Sequence, residues 1–172
     1  MSLPDEVLVR DAIEDDMPFF YNSLLHHYKH SSPHTRLISD FIFYRGHQKL
    51  ISDTLERKGN VLKFAALKDD PKVVFGFLWA NMCPETLHYV YIKKAFRSLG
   101  LAKHLYFSVF KPDQEVFFSH LSYDGGKIIC KYQQFMFNPY LLNGEIWKAE
   151  QLRLEELEDD LEKSNFLKPT SY

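Results

Sequence analysis

Cysteine is scarce in this 172-residue chain. Cys83 and Cys130 stand alone, with no CxxC or Cys/His spacing, which argues against a disulfide framework or a thiolate zinc site and suits a reducing compartment. Long apolar runs are missing too. The longest, VVFGFLWANM, is far shorter than the roughly 20 residues that cross a bilayer. The N-terminal MSLPDEVLVRD has acids where a secretory signal has a basic stretch and an apolar core. Charge of one sign is also lacking: the net charge is -2 and the pI ≈ 6.4, so no global cationic field favours non-specific binding to nucleic acid. No internal repeat or low-complexity tract interrupts the chain. A soluble, cytoplasmic protein is expected.

What is present is an ordinary globular composition, with 45% hydrophobic and 26% charged residues, enough for one domain with a sizeable core. EVLVRDA alternates as a first strand, and DDMPFFYNSLLHHYKH follows as a helix with Asp15 or Asp16 at its N-cap and Pro18 in its first turn. After the loop SSPHT, Phe41, Leu50, Ile51 and Leu55 recur at helical spacing up to Gly59. VLKFAAL and VVFGFLWANM flank the turn signal KDDPK and predict an antiparallel hairpin; TLHYVYI is a further strand. A helix over 100–110, the turn KPDQ and the strand EVFFSHL complete the order β-α-α-β-β-β-α-β. DGGKIICKYQQF predicts a short helix after its glycines, and MFNPYLL a last strand that Pro139 confines to an edge or bulge.

The junction YVYIKKAFRSLGLAKHLYFSVF carries the functional signal. A helix that starts directly behind a strand presents unpaired backbone N–H groups and its positive dipole end at one point, which suits an anion. Gly100 lets a ligand approach the backbone, Ala102 keeps the first turn uncluttered, and Lys93, Lys94 and Arg97 supply positive charge. A phosphate or pyrophosphate fits there. A tight turn with solvated lysines is the plainer alternative.

On these residues the chain resembles the GNAT superfamily of acetyl-coenzyme A-dependent N-acyltransferases. Arg97-Ser98-Leu99-Gly100-Leu101-Ala102 is similar to that family's Arg/Gln-x-x-Gly-x-Gly/Ala signature and lies between the fourth strand and third helix, as in the family. The likeness runs over roughly residues 6–142 and includes YQQFMFNP, which looks like the family's Tyr-x-x-x-Gly-Phe element with Met136 in place of glycine. Gly125 or Gly126 stands where many members carry an asparagine. The resemblance implies an α/β fold with a mixed, mostly antiparallel sheet flanked by helices. It implies acetyl-CoA as cosubstrate, its pyrophosphate held by the amides of residues 98 to 102 with Arg97 beside them, and its pantetheine arm paired with main-chain groups of Val90, Tyr91 and Ile92.

The chemistry so implied is attack of a neutral amine on a thioester. Tyr132 matches the family's general acid; it could equally pack among Phe135 and Phe137. Thr86 occupies the position where many members place a glutamate base, so His88, two residues on and on the same strand face, is the candidate base, with Glu85 as fallback. A structural role for His88 is the alternative. His26 and His30 share a helix face, but without an adjacent carboxylate motif no metal is expected. HHYKHSSPHTRLISDFIFYRGH falls where the family shapes its acceptor pocket and suits a polar or aromatic acceptor, small molecule or protein, without naming one.

Beyond a GNAT-like domain over 1–142, residues 143–172 form an acidic extension. Residues 144 to 163 hold eight acids against Lys148, Arg153 and Lys163, a net of -5, so the rest carries +3. Ile146, Leu154, Leu157 and Leu161 make a narrow apolar stripe that folds back through Trp147 or docks a protein partner or second copy. Two functions from different classes therefore stand. One is an N-acetyltransferase; the other is a GNAT-fold interaction protein without catalysis, of the kind bacteriophages encode, in host cytoplasm or virion. Side chains such as Tyr89 and Tyr91 plugging the gap between the central strands would favour the second. Nucleic-acid binding through Lys93, Lys94, Arg97 and Lys103 ranks last, because the same charges serve the pyrophosphate reading.

Overall fold

A central strand that is apolar on both faces needs cover on both sides, and Val74–Met82 is such a strand: Phe75, Phe77, Leu78, Trp79 and Ala80 are all buried. In the computed structural model, which describes residues 6–129, 131–132 and 134–166, it lies in a six-stranded sheet that runs in chain order. The strands are β1 (Val7–Asp11), β2 (Asn60–Leu67), β3 (Val74–Met82), β4 (Glu85–Ile92), β5 (Val116–Phe118) and β6 (Phe135–Phe137). The first four are antiparallel; β4 to β5 and β5 to β6 are parallel. Helices α1 (Met17–Ser31) and α2 (Asp40–Leu55) cover one face through Phe20, Leu24, Phe43 and Ile51 against Phe64, Phe77 and Trp79. Helix α3 (Leu101–Phe107) covers the other through Leu101 and Leu105 against Ala65, Leu78 and Val116. Helices α4 (Tyr123–Ile129) and α5 (Gly144–Phe166) complete the chain.

The predicted element order and hairpin are present, and several expectations need correction. Asp16 sits at the N-cap of α1 without capping it. Its carboxylate instead accepts from both terminal nitrogens of Arg10, at 2.6 and 2.9 Å, and from the Ile13 N–H. Phe41 belongs to α2 but faces solvent, so the apolar spacing of that helix overcounts its core face. Helix α3 stops at Phe107, and the Ser108 hydroxyl donates back to the Leu105 carbonyl. Helix α4 contains Gly125 and Gly126 rather than following them, because the Ser122 hydroxyl accepts the Gly125 N–H and nucleates the turn. MFNPYLL is strand only to Phe137; Asn138 then accepts the Tyr140 N–H and residues 139–142 form a 3₁₀ turn behind Pro139. Helix α5 runs past the expected Lys163 to Phe166.

Two local features set the site. Gly76 allows β3 and β4 to approach: a Cβ there would meet the Tyr91 carbonyl oxygen inside contact distance and Ile92 Cδ1 at 2.6 Å. The second is a β-bulge, since Trp79 opposes Tyr89 and Ala80 opposes Leu87, leaving His88 as the extra residue. Leu87 therefore packs with the α3 face, while His88, 4.4 Å from the Trp79 ring, and Tyr89 both turn to the α1 face.

Candidate active site

Strands β4 and β5 pair only through Thr86 with Phe117 and Leu87 with Phe118, followed by the Ser119 N–H to the Leu87 carbonyl at 3.3 Å. Past that point β4 continues to Ile92, held by β3 alone, while the chain after Ser119 turns toward α4. The sheet splits there, and the β5 side of β4 from Tyr89 onward has no partner strand among the described residues. Tyr89 and Tyr91 pack into the α1-side core, and His120, from the chain after β5, stands against Trp79, His88 and Tyr89 on that face.

The turn at the end of β4 adjoins this split. The Lys93 N–H makes the last sheet bond, to the Phe75 carbonyl at 2.9 Å. Ser98 and Gly100 then adopt left-handed conformations, with φ of 65° and 79°, and α3 starts at Leu101. The first-turn amides of α3 have no intrahelical acceptor. Space beside Gly100 is open, with nothing within 4 Å of a built Cβ, so the backbone is accessible where an anion would approach. Arg97, an exposed residue, reaches back along the strand end: its Nε donates to the Ile92 carbonyl at 3.1 Å and its Nη2 lies 3.3 Å from His27 Nε2.

Because a guanidinium only donates, His27 Nε2 is the acceptor, and the neutral ring carries its proton on Nδ1, 2.7 Å from the Tyr89 hydroxyl. Burial and the Arg97 charge hold the His27 pKa below its ordinary value, and burial raises that of Tyr89. Arg97, His27 and Tyr89 thus tie the turn to α1. On the other side of His27 opens a cleft of ≈ 680 Å³ lined by Asn22, His26, Tyr44, Gln48 and Tyr91, among others. Of its lining, His26, His27 and Tyr44 belong to the region expected to shape an acceptor pocket.

The three proposed catalytic side chains are not gathered at one point. His88 stands at the split but is fully buried; burial, with a lesser effect of the Arg57 charge, lowers its pKa to about 3. Its Nδ1 is 2.7 Å from the Ser119 hydroxyl, which is 2.9 Å from His120 Nδ1, and His120 Nε2 is 3.0 Å from His47 Nε2 on α2. His88 Nε2 is buried without a hydrogen-bond partner. Glu85 lies at the far end of β4, opposite Met82, and the Thr86 hydroxyl donates to the Pro84 carbonyl. Tyr132 follows the end of α4, is 51% exposed, and stands edge-on to Phe135 at 6.3 Å between ring centroids. His26 and His30 meet edge to face at 4.8 Å, and among the described residues no group of three or more His, Cys, Asp or Glu is placed to hold a metal. Cys130 lies outside the described residues. No helix among them is long and apolar enough to cross a membrane.

Sequence reasoning missed the Arg97–His27–Tyr89 link and the His88–Ser119–His120–His47 chain. Each joins residues scores of positions apart, and only the clustering of histidines in α1 hinted at either.

No protein-family model matches the chain, and no curated protein matches it. Solved structures do. A Pyrococcus furiosus protein named as an acetyl transferase matches with 12% identity over 85% of this chain and 91% of its own, at a TM-score of 0.51. A Staphylococcus aureus acetyltransferase of the GNAT family matches with 14% identity over 60% of this chain and 63% of its own, at 0.45. A Salmonella typhimurium protein named as an acetyltransferase, solved with acetyl-CoA, matches with 18% identity over 60% of each chain, at 0.38. In the last two the match spans less than two thirds of the neighbour's own length. The first match places the mixed, six-stranded sheet and its flanking helices within the GNAT fold.

Proposed function

We propose that the protein is an N-acetyltransferase that moves an acetyl group from acetyl-CoA to an amine. The observation that carries this reading is the opening of the sheet past Leu87 beside the left-handed turn at Ser98 and Gly100. The part of β4 without a partner strand among the described residues leads directly to the turn and the start of α3, the order that a ligand with an extended arm and a diphosphate requires. The cosubstrate, when bound, supplies an activated thioester carbonyl and a thiolate leaving group.

In this reading the amides of residues 98 to 102 hold the diphosphate, and main-chain groups of Val90 pair with the pantetheine arm, since the Tyr91 carbonyl is turned to Gly76 on β3. The Ile92 carbonyl stays with Arg97, whose role is to brace the turn rather than to reach the phosphates. The cleft beside His27 receives the acceptor. An alkyl amine with a pKa of about 10 must lose a proton before attack. His88 stands nearest the split, but its burial leaves it too weakly basic to keep that proton. It would pass the proton through Ser119 and His120 toward His47. Glu85, at the start of the strand, could act only through water. Tyr132 is the proposed general acid: its phenol gives a proton to the departing thiolate and regains it from solvent.

The sealing of His88 and the exposed place of Tyr132 favour a second reading, a GNAT-fold interaction protein that does not transfer acetyl groups, including a phage virion component. Calorimetric titration with acetyl-CoA separates the two. Saturable binding to the wild type that is lost in Gly100→Glu supports the cosubstrate site, with Gly100→Ala measuring backbone strain alone. Tyr132→Phe should then keep binding and lower the rate of transfer. Absence of binding by the folded wild type would defeat the enzyme reading.

A further inference from the structure

Where α2 begins, four large apolar side chains face solvent: Leu37 at 89% exposure, Phe41 at 73%, Ile42 at 63% and Ile38 at 38%. The display is held in place. The buried Lys29 ammonium donates to the carbonyls of Thr35 at 2.9 Å and Ile38 at 2.6 Å, and lies 3.4 Å from the Asp40 carboxylate. The Thr35 hydroxyl donates to the Tyr28 carbonyl at 2.8 Å. A segment pinned this way cannot fold its side chains inward, so the patch is a fixed feature of the surface. Its rim is basic: Arg36 and Arg45 are exposed, the Arg45 guanidinium lies 6.0 Å from the centre of the Phe41 ring, and the Asp40 charge is offset by Lys29.

Helix α5 presents the complement. Its start is anchored: the Trp147 ring is buried, the Arg57 guanidinium lies 5.4 Å from its centre, and Asn143 Oδ1 accepts the Glu145 and Ile146 N–H groups. After Trp147 no described side chain of α5 is buried. Ile146, Leu154 and Leu157 fall along one side at helical spacing; Ile146 and Leu157 are exposed, as are Glu145, Glu155, Glu156 and Asp159 around them. One chain therefore carries an uncovered apolar patch with a basic rim and an uncovered apolar stripe in an acidic helix. Contiguous apolar surface of this kind marks an interface, and opposite charges select which of the two faces meets which.

We infer that these faces cover each other between two copies of the chain: α5 of one protomer lies across Leu37, Ile38, Phe41 and Ile42 of its partner. The exchange inferred is reciprocal, each α5 on the other's patch, which closes the assembly as a two-fold dimer; a one-way contact between these unlike faces would instead run on into a filament. The inference does not depend on acetyl transfer.

Sedimentation velocity of the full chain over a concentration series tests it. The wild type should dimerise at micromolar concentration and weaken several-fold when salt is raised from about 50 to about 500 mM, because screening removes the charge attraction. Phe41→Asp, Leu157→Lys and Arg45→Glu alter exposed residues and should fold normally by circular dichroism. The first two should weaken the dimer at least about tenfold, a shift of about 1.4 kcal/mol, and the third several-fold. A wild type still monomeric at about 100 μM would overturn the inference. So would a dimer indifferent to Phe41→Asp or to Leu157→Lys, or growth into open-ended assemblies.

Discussion

Acidification should unfold this protein from within, through the three histidines that line the seam between α2 and the split strands. His88 and His120 are fully buried and His47 is largely so. Burial lowers His47 to about 4 and His88 to about 3, and holds His120 well below its ordinary value. In the unfolded chain all three titrate near the ordinary value of 6.5. Between that pH and the folded values only the unfolded state takes up protons, so stability is complete above about pH 6.5 and falls as pH drops. Each such group costs about 1.4 kcal/mol per pH unit. From pH 6.5 to pH 5 that is about 2 kcal/mol each for His47 and His88, with His120 acting in the same direction, against a total stability of about 5–15 kcal/mol. Urea titrations at pH 7.5, 6 and 5 should show this decline, and His88→Phe should reduce its slope by about one histidine's share. Equal stability at pH 7.5 and pH 5 would refute the reasoning, as would NMR titration of all three rings near pH 6.5.

Three further outcomes are expected. Gly76→Ala should cost about 3 kcal/mol, because the added methyl must displace the β4 main chain at Tyr91 and not a flexible side chain; calorimetric melting measures it. Asp16→Asn should cost about 2 kcal/mol at pH 7 by removing the charge that accepts from Arg10, which keeps its bonds to the Asp11 and Pro71 carbonyls. Burial alone would raise the Asp16 pKa, but its hydrogen bonds to Arg10 and Ile13 lower it below the ordinary value of 3.8, so variant and wild type should converge only as pH falls below about 4. Lys29→Met should take the ammonium donor from the Ile38 carbonyl and leave the Thr35 carbonyl only the Ile38 N–H, and amide exchange over residues 32–39 should accelerate by about tenfold or more.

Much of the fold was legible because apolar period and turn chemistry are local. VVFGFLWANM reads as one strand of a hairpin from its apolar run and the KDDPK turn signal, and Gly100 reads as the turn between a strand and a helix; the structure has both. What escaped depends on partners distant in the chain. The bulge at His88 is set by how β4 registers against β3, which no property of TLHYVYI alone reveals. His47 meets His120 across 73 positions, and Arg97 meets His27 across 70. Phe41 shows the opposite failure: helical spacing places it with the core, but the core ends before it does. Pro139 did signal an interruption, and the chain turned there instead of continuing as an edge strand.

The sheet is mechanically two plates on a short hinge. Four antiparallel strands form a stiff plate with long ladders; β5 and β6 form a second, attached by two residue pairs and one further hydrogen bond. A joint this small can yield while both plates stay folded, so strand opening and chain unfolding become separate events with separate energies. Whatever enters the gap works against that short ladder and the His88–Ser119 contact beside it, and a ligand bridging both plates would fasten them together.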